Sequence, residues 1–345
     1  MHSDLRRSIP CGRGPQGEIL TLENIEAIVE VAVRAACMHE SAVSLTDLAR
    51  LMPEDTNTTD LVTAFENLPT LRQNYLLKEG YVLSRSEAQK DVFSESERRR
   101  HSIANITLAR VLSSRLGGKD ALVFAVSGST SYRSASVHDD IDLFCVTPRG
   151  KMWVFLAKVL VRTRALHLLR KSSRSINVSC VMDEEYARIM FSTDQGPLFA
   201  RDALMAEVVH GREAYDGLLE SASWMGLYFP KLYGLRKSLG RAKRRAQRAR
   251  PIHLGITNLF LYFVIGSFIR AKARLHNRLL VREGKRSSLF IPRIGFDHLF
   301  YESERYLTLK AIYSSMKHDE TDVSGQPIWV EGRPRGPESD RKTLT

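Results

Sequence analysis

The run Ala121-Leu-Val-Phe-Ala-Val126 is broken by Ser127-Gly128-Ser129-Thr130. After a gap of ten residues from Ser129 comes Asp140-Ile141-Asp142-Leu143-Phe144-Cys145-Val146, and this pair of segments decides the fold. Both apolar runs have the length and β-branched content of buried strands. Alternate residues of a strand face the same side, so the spacing predicts Asp140 and Asp142 projecting together while Ile141 and Leu143 enter the core. Two adjacent carboxylates repel each other unless a cation lies between them. Their hard oxygens suit Mg²⁺, which takes one or two carboxylates and fills its shell with water and substrate phosphates. Gly128, placed directly after a strand, lets backbone N–H groups approach a phosphate, and the Ser129 hydroxyl adds a donor. The pattern describes a site for a metal-bound nucleoside triphosphate.

Outward from this pair, residues 95–116 read as a helix that starts with Arg98-Arg99-Arg100 and stops before Gly117-Gly118. Downstream, Met152–Leu169 has the length and apolar stripe of a helix, and Ile176–Met182 is a third strand. Strand, turn, strand, helix, strand is an α/β arrangement with its loops gathered near one edge. Nearer the N-terminus, Ile25, Ile28, Val29, Val31 and Val33 predict a helix, Ser44–Leu51 a second with a capping-box pattern at Ser44-x-x-Asp47, and Thr59–Leu68 a third. Tyr75–Leu83 then predicts two short strands turned by Glu79-Gly80. Three helices and a hairpin make a winged helix. Residues 21–95 carry 6 basic and 13 acidic side chains, the wrong sign for displacing counterions from DNA phosphates, so this module is expected to be a protein-contact or packing domain rather than a DNA reader.

The motif Val126-Ser127-Gly128-Ser129 with Asp139-Asp140-Ile141-Asp142-Leu143 resembles the signature of the DNA polymerase β-like nucleotidyltransferase superfamily. The surrounding chain is similar to a group of prokaryotic proteins that join a winged helix to this domain. That wider likeness rests on Thr147-Pro-Arg-Gly-Lys-Met-Trp153, on Asn177-Val-Ser-Cys180, and on Trp224 before Tyr228-Phe-Pro230. The resemblance spans roughly residues 40–230. It implies Asp140 and Asp142 as catalytic residues holding two Mg²⁺ ions. Gly128 and Ser129 orient the phosphates of an NTP, and an acceptor oxygen attacks the α-phosphorus with pyrophosphate leaving. Arg133 and Lys151 are cations expected near the phosphates, and His138 is a candidate proton shuttle. The superfamily commonly carries a third carboxylate on the next strand; here that position holds Asn177 or Ser179, and Asp183, Glu184 and Glu185 just beyond the strand are the candidate substitutes.

The charge is unevenly spread. The chain of 345 residues has a formal net charge of +12, yet residues 231–286 alone hold 16 basic side chains and one acid, Glu283. Such a density favours a polyanion: nucleic acid, nucleotide phosphates or an acidic membrane face. The helix expected at Arg241–Arg250 has no Tyr or Trp to stack bases, so nucleic-acid contact there would be nonspecific and salt-dependent. Residues 251–269 have no charged side chain. A buried helix of an α-helical domain is the first reading of that stretch, and an interfacial segment held to acidic lipid is the second.

Composition narrows the rest. Hydrophobic residues at 43% and charged residues at 26% allow sizeable cores. The four cysteines form no C-x-x-C pair, which excludes a disulfide framework and a zinc ribbon. With no signal-peptide pattern at its start, a cytoplasmic protein is expected, with peripheral membrane association as an extension. The expected organisation is a flexible leader (1–20), a winged helix (21–95), a mixed α/β nucleotidyltransferase core (96–190), a mostly α-helical basic domain (191–317) and a disordered tail (318–345). The acceptor is not legible. The competing reading is a non-catalytic protein that holds nucleic acid or acidic membrane on the same scaffold.

Overall fold

A computed structural model describes residues 22–53, 56–87, 93–116, 120–168, 176–239, 255–284 and 289–316. Its first part comprises α1 (Leu22–Cys37), β1 (Val43–Ser44), α2 (Leu45–Leu51), α3 (Thr58–Asn67), α4 (Pro69–Asn74), β2 (Tyr75–Lys78) and β3 (Tyr81–Ser84). The three strands form an antiparallel sheet in the order β1-β3-β2. Glu79 and Gly80 both have positive φ, 52° and 80°, the two-residue geometry that matches the twist of a tight hairpin. Ser44 caps α2 by accepting the Asp47 N–H at 3.1 Å, but its hydroxyl donates to the Asp47 carboxylate at 2.6 Å. The reciprocal capping box forms instead at Asn57 and Asp60, at the start of α3. Val29, Leu48, Leu61 and Val82 close a small core that runs on into the main body, so the module is docked rather than tethered.

Beyond it lie α5 (Phe93–Leu116), β4 (Val123–Val126), the single turn α6 (Gly128–Ser131), β5 (Ile141–Thr147), α7 (Met152–Leu168), β6 (Ile176–Asp183), α8 (Glu184–Ser192), α9 (Pro197–Met205) and β7 (Glu207–His210). The chain continues through α10 (Arg212–Ser221), α11 (Met225–Tyr228), α12 (Pro230–Leu239), α13 (Ile256–Arg282), β8 (Phe290–Ile294), β9 (His298–Ser303) and α14 (Glu304–Ser314). Six strands form one mixed sheet in the order β7-β4-β5-β6-β9-β8, with only the central β5–β6 pair parallel. The fold is mixed α/β. Every residue of β4 is buried because both faces of the sheet are covered, which is why its sequence reads as an unbroken apolar run rather than an alternation.

On one face, Phe124, Val126, Ile141, Leu143 and Cys145 meet Leu112 of α5, Trp153 and Leu156 of α7, and Ile269 of α13. On the other, Ala125, Phe144, Val146 and Met182 meet α8, α9, α10 and α14 through Phe191, Leu204, Tyr215 and Tyr313. Ile141 and Leu143 therefore enter the core as the alternation predicts.

Two expectations change here. The stretch 191–317 is rich in helix, but it also supplies β7, β8 and β9, which extend the sheet at both edges; it completes the 96–190 core instead of standing beside it. Residues 256–269 belong to a 27-residue helix whose apolar window is only 22% buried, so the first reading, a buried helix, gives way to one packed on α7 and β8 along a single side. This helix alone among the described residues is long and apolar enough to cross a membrane. The leader, the tail and residues 240–254 of the basic block, along with Cys11, lie outside the described residues.

Candidate active site

The site forms where β4 ends, turns, and meets the start of β5. Gly128 opens the turn at φ +66°, and a Cβ built on it would stand 2.9 Å from Asp142 Oδ2. The Asp142 carboxylate thus lies over the bare backbone of Gly128, and the turn needs glycine both for its φ and for that space. The Ser127 N–H donates to the Asp142 carbonyl at 3.0 Å, locking the turn to β5.

Ser129 is buried, and its hydroxyl donates to Asp139 Oδ2 at 2.9 Å. Ser136 gives the same carboxylate its backbone N–H at 3.0 Å and its hydroxyl at 2.9 Å. Burial acts to raise the Asp139 pKa, but these hydrogen bonds and nearby His39 outweigh it and hold the group below its ordinary value. Asp139 therefore organises the loop as an anion, a role that the spacing of the motif did not reveal.

Asp142 behaves in the opposite way. Burial and the neighbouring Asp140 push its pKa up to about 7, against a hydrogen bond from Asn177. That bond runs from Asn177 Nδ2 to Asp142 Oδ1 at 3.1 Å. It follows from register: β5 and β6 pair Asp142 with Asn177 before the alignment slips by one residue, which leaves Ser179 donating to the Leu143 carbonyl at 3.2 Å. Asn177, not Ser179, occupies the position beside Asp142. Asp140 precedes β5 and is exposed.

The remaining sequence candidates separate. Arg133, at φ +64°, extends its guanidinium to Glu207 Oε1 of β7 at 2.6 Å; Glu207 pairs with Val126, so this ion pair flanks the turn. His138 is exposed on the loop, its N–H on Ser136 Oγ at 3.3 Å. Lys151 follows the far end of β5. Asp183 pairs with Thr147 at that same far end, accepts the N–H groups of Glu185 and Tyr186 as the cap of α8, and also accepts from Gly150. Six residues of strand, about 20 Å at 3.3 Å per residue, separate it from Asn177. Asp183, Glu184 and Glu185 do not replace a third carboxylate.

Sequence reasoning also missed the groups that support the loop. Ser102 of α5 accepts the Ala135 N–H at 3.0 Å, and Asn105 Nδ2 donates to Thr130 Oγ1 at 3.3 Å; both residues are fully buried. Arg98 donates to the carbonyls of His39 and Ser134 at 3.3 and 3.2 Å. His39 is held at a pKa of about 4 by burial, with Arg305 and Arg201 adding to the effect. Arg201 lies over the Tyr132 ring at 4.1 Å from its centroid. Three arginines from α5, α9 and α14 thus converge next to the Asp139 loop, and no local spacing announces them.

The chain matches no family model, no curated protein and no solved structure in the comparisons made. Among the described residues no three His, Cys, Asp or Glu side chains converge as metal ligands. The Asp142 carboxylate, its proton affinity raised by burial and by neighbouring Asp140, lies beside a bare glycine and nonetheless fits a hard divalent ion that draws its other ligands from water and phosphate.

Proposed function

We propose that the protein is a nucleotidyltransferase that moves an NMP from Mg-NTP to an acceptor. The observation that carries this is the Asp142 carboxylate, which lies against Gly128 and is pushed toward neutrality by burial and Asp140. Two further features support the reading: residues 22–84 carry helices and a hairpin of the kind a winged helix needs, and the strand–turn–strand brings Gly128 against Asp142 as the motif requires.

In this reading Asp140 and Asp142 hold Mg²⁺. When bound, the ion offsets phosphate charge and aligns the acceptor oxygen with the α-phosphorus. The chain's own contribution is placement. The Gly128 and Ser129 N–H groups open toward the phosphates, and the Ser129 hydroxyl leaves Asp139 to donate to one of them. A bond forms between the acceptor oxygen and the α-phosphorus, the bond to the bridging oxygen breaks, and pyrophosphate departs. Asn177 accepts no proton near neutral pH. An acceptor that is already ionised, such as a phosphate or carboxylate oxygen, needs none removed.

The Asn177 amide and the distance of Asp183 favour a second reading, a nucleotide-binding protein without transfer activity. The deciding experiment is a thermal-shift series on the wild type and Asp142→Asn with each NTP, with and without Mg²⁺, followed by a search for NTP-dependent pyrophosphate release. Nucleotide at a hundred times its Kd adds about 2.7 kcal/mol of stability. A Mg²⁺-dependent shift lost in the variant, with pyrophosphate released, supports transfer. The same shift without pyrophosphate supports the second reading, and no shift with any nucleotide refutes both.

A further inference from the structure

The long helix α13 has two unlike sides. Its inner side is fixed to the body by polar contacts as well as packing. Asn258 Oδ1 accepts the N–H groups of Trp153 and Val154 at 2.9 and 3.2 Å. Asn277 exchanges hydrogen bonds with the Phe290 backbone, at 2.8 and 3.0 Å, and Ile269 and Ala273 are buried between them. The outer side carries Ile256, Phe260, Phe263, Phe268 and Leu275, each between 59% and 87% exposed. Ile256, Phe260 and Phe263 recur at steps of four and three, and half-exposed Val264 links Phe260 to Phe268 at steps of four, so the outer side is a broad apolar surface. Lys272, Arg274, Arg278 and Arg282 follow on the exposed C-terminal half.

We propose that this face docks the protein onto an anionic lipid bilayer, with α13 lying in the plane of the interface. Charge selects this occupant. The helix itself, Ile256–Arg282, carries five Lys/Arg and no acidic side chain, so a surface that presents both hydrocarbon and negative charge complements the face. A second copy would bring two like-charged blocks together. The chain's own C-terminal segment, beyond α14, starts from the opposite face of the sheet, where Leu309, Ile312 and Tyr313 are buried. The inner tethers exclude a spanning helix, since crossing would strip Asn258 and Asn277 from their backbone partners and carry Arg270, Lys272 and Arg274 into hydrocarbon.

The test is co-sedimentation of the full chain with phosphatidylcholine vesicles, with and without phosphatidylserine. Strong pelleting is expected only with phosphatidylserine, weakened by salt. Phe260→Ser combined with Phe268→Ser should reduce the partition coefficient by about tenfold or more while the melting curve is retained, both side chains being exposed. Lys272→Gln, Arg274→Gln and Arg278→Gln together should weaken binding and its salt dependence. Asp142→Asn should bind as the wild type, because the docking does not rest on nucleotide chemistry. Equal pelleting of the phenylalanine variant and wild type would overturn the proposal, leaving charge alone. It would also fall if those substitutions dissolved a dimer, or if only a chain cut after residue 316 bound vesicles.

Discussion

Gly128 and Asp142 constrain each other, and both can be tested by single substitutions. A methyl group on Gly128 meets Asp142 Oδ2 at 2.9 Å and holds an alanine at φ +66°. The backbone part costs about 1–2 kcal/mol. The carboxylate must also swing away, so Gly128→Ala should abolish Mg-NTP stabilisation in thermal shift while lowering the melting temperature only modestly. Asp142 adds a pH signature. Its pKa rises from 3.8 to about 7 on folding, so between those values the folded chain binds more proton than the unfolded one, and stability falls as pH rises through that window. Three pKa units set an upper limit of about 4 kcal/mol. Asp142→Asn should therefore match the wild type near pH 4 and melt higher by pH 8, and Mg²⁺ should raise the wild type alone. A variant curve parallel to the wild type would refute the assignment. Asn177→Asp would complete a carboxylate triad and should tighten Mg²⁺ binding, measured by calorimetry. Gly128, Ser129, Asp140 and Asp142 were legible because a strand–turn–strand keeps them close in sequence. The choice of Asn177 over Ser179 was not, because it depends on a one-residue slip between parallel strands that are joined through α7. His39, Arg98, Arg201 and Arg305 were illegible for a simpler reason: they come from four distant segments.

Helix α5 shows how an element can position a site without contributing to it. Its sequence has little amphipathic pattern because Ser102 and Asn105 stand on its buried side, where apolar residues would be expected. Those two polar groups hold the loop that follows Gly128, from Thr130 to Ala135. Ser102→Ala leaves the buried Ala135 N–H without its acceptor, a loss of about 1–3 kcal/mol. A lower melting temperature is expected, together with weaker nucleotide binding that more Mg²⁺ does not restore. Unchanged melting would mean that the loop is held by other contacts. The apolar helix α13 misleads in the opposite direction. Composition shows which side chains shun water, and it does not show whether the protein itself covers them.

The sheet makes one unit of what the charge profile divides into several. Net charge changes sign near residue 190, and a boundary there looks natural from composition alone. Hydrogen bonding runs across it: β7 pairs with β4 on one edge, while β9 pairs with β6 on the other and carries β8 outside it. Strand pairing over such separations leaves no local trace, since β8 and β9 follow the basic block and resemble short apolar segments of any helical region. A chain ending at residue 190 would lose three of six strands and the helices that cover Phe144, Val146 and Met182. Both flanks of the β4-β5-β6 core would then be open edges lined by apolar side chains, a template for aggregation. Such a fragment should be insoluble or melt without a cooperative transition, whereas a chain ending at residue 316 retains every described strand and should melt as the full chain does. A soluble, cooperatively melting fragment ending at 190 would show instead that the β7, β8 and β9 pairings add little. The site itself should follow the same rule: Glu207, which pairs with Val126 and holds Arg133, comes from beyond the apparent boundary, so nucleotide binding requires both halves.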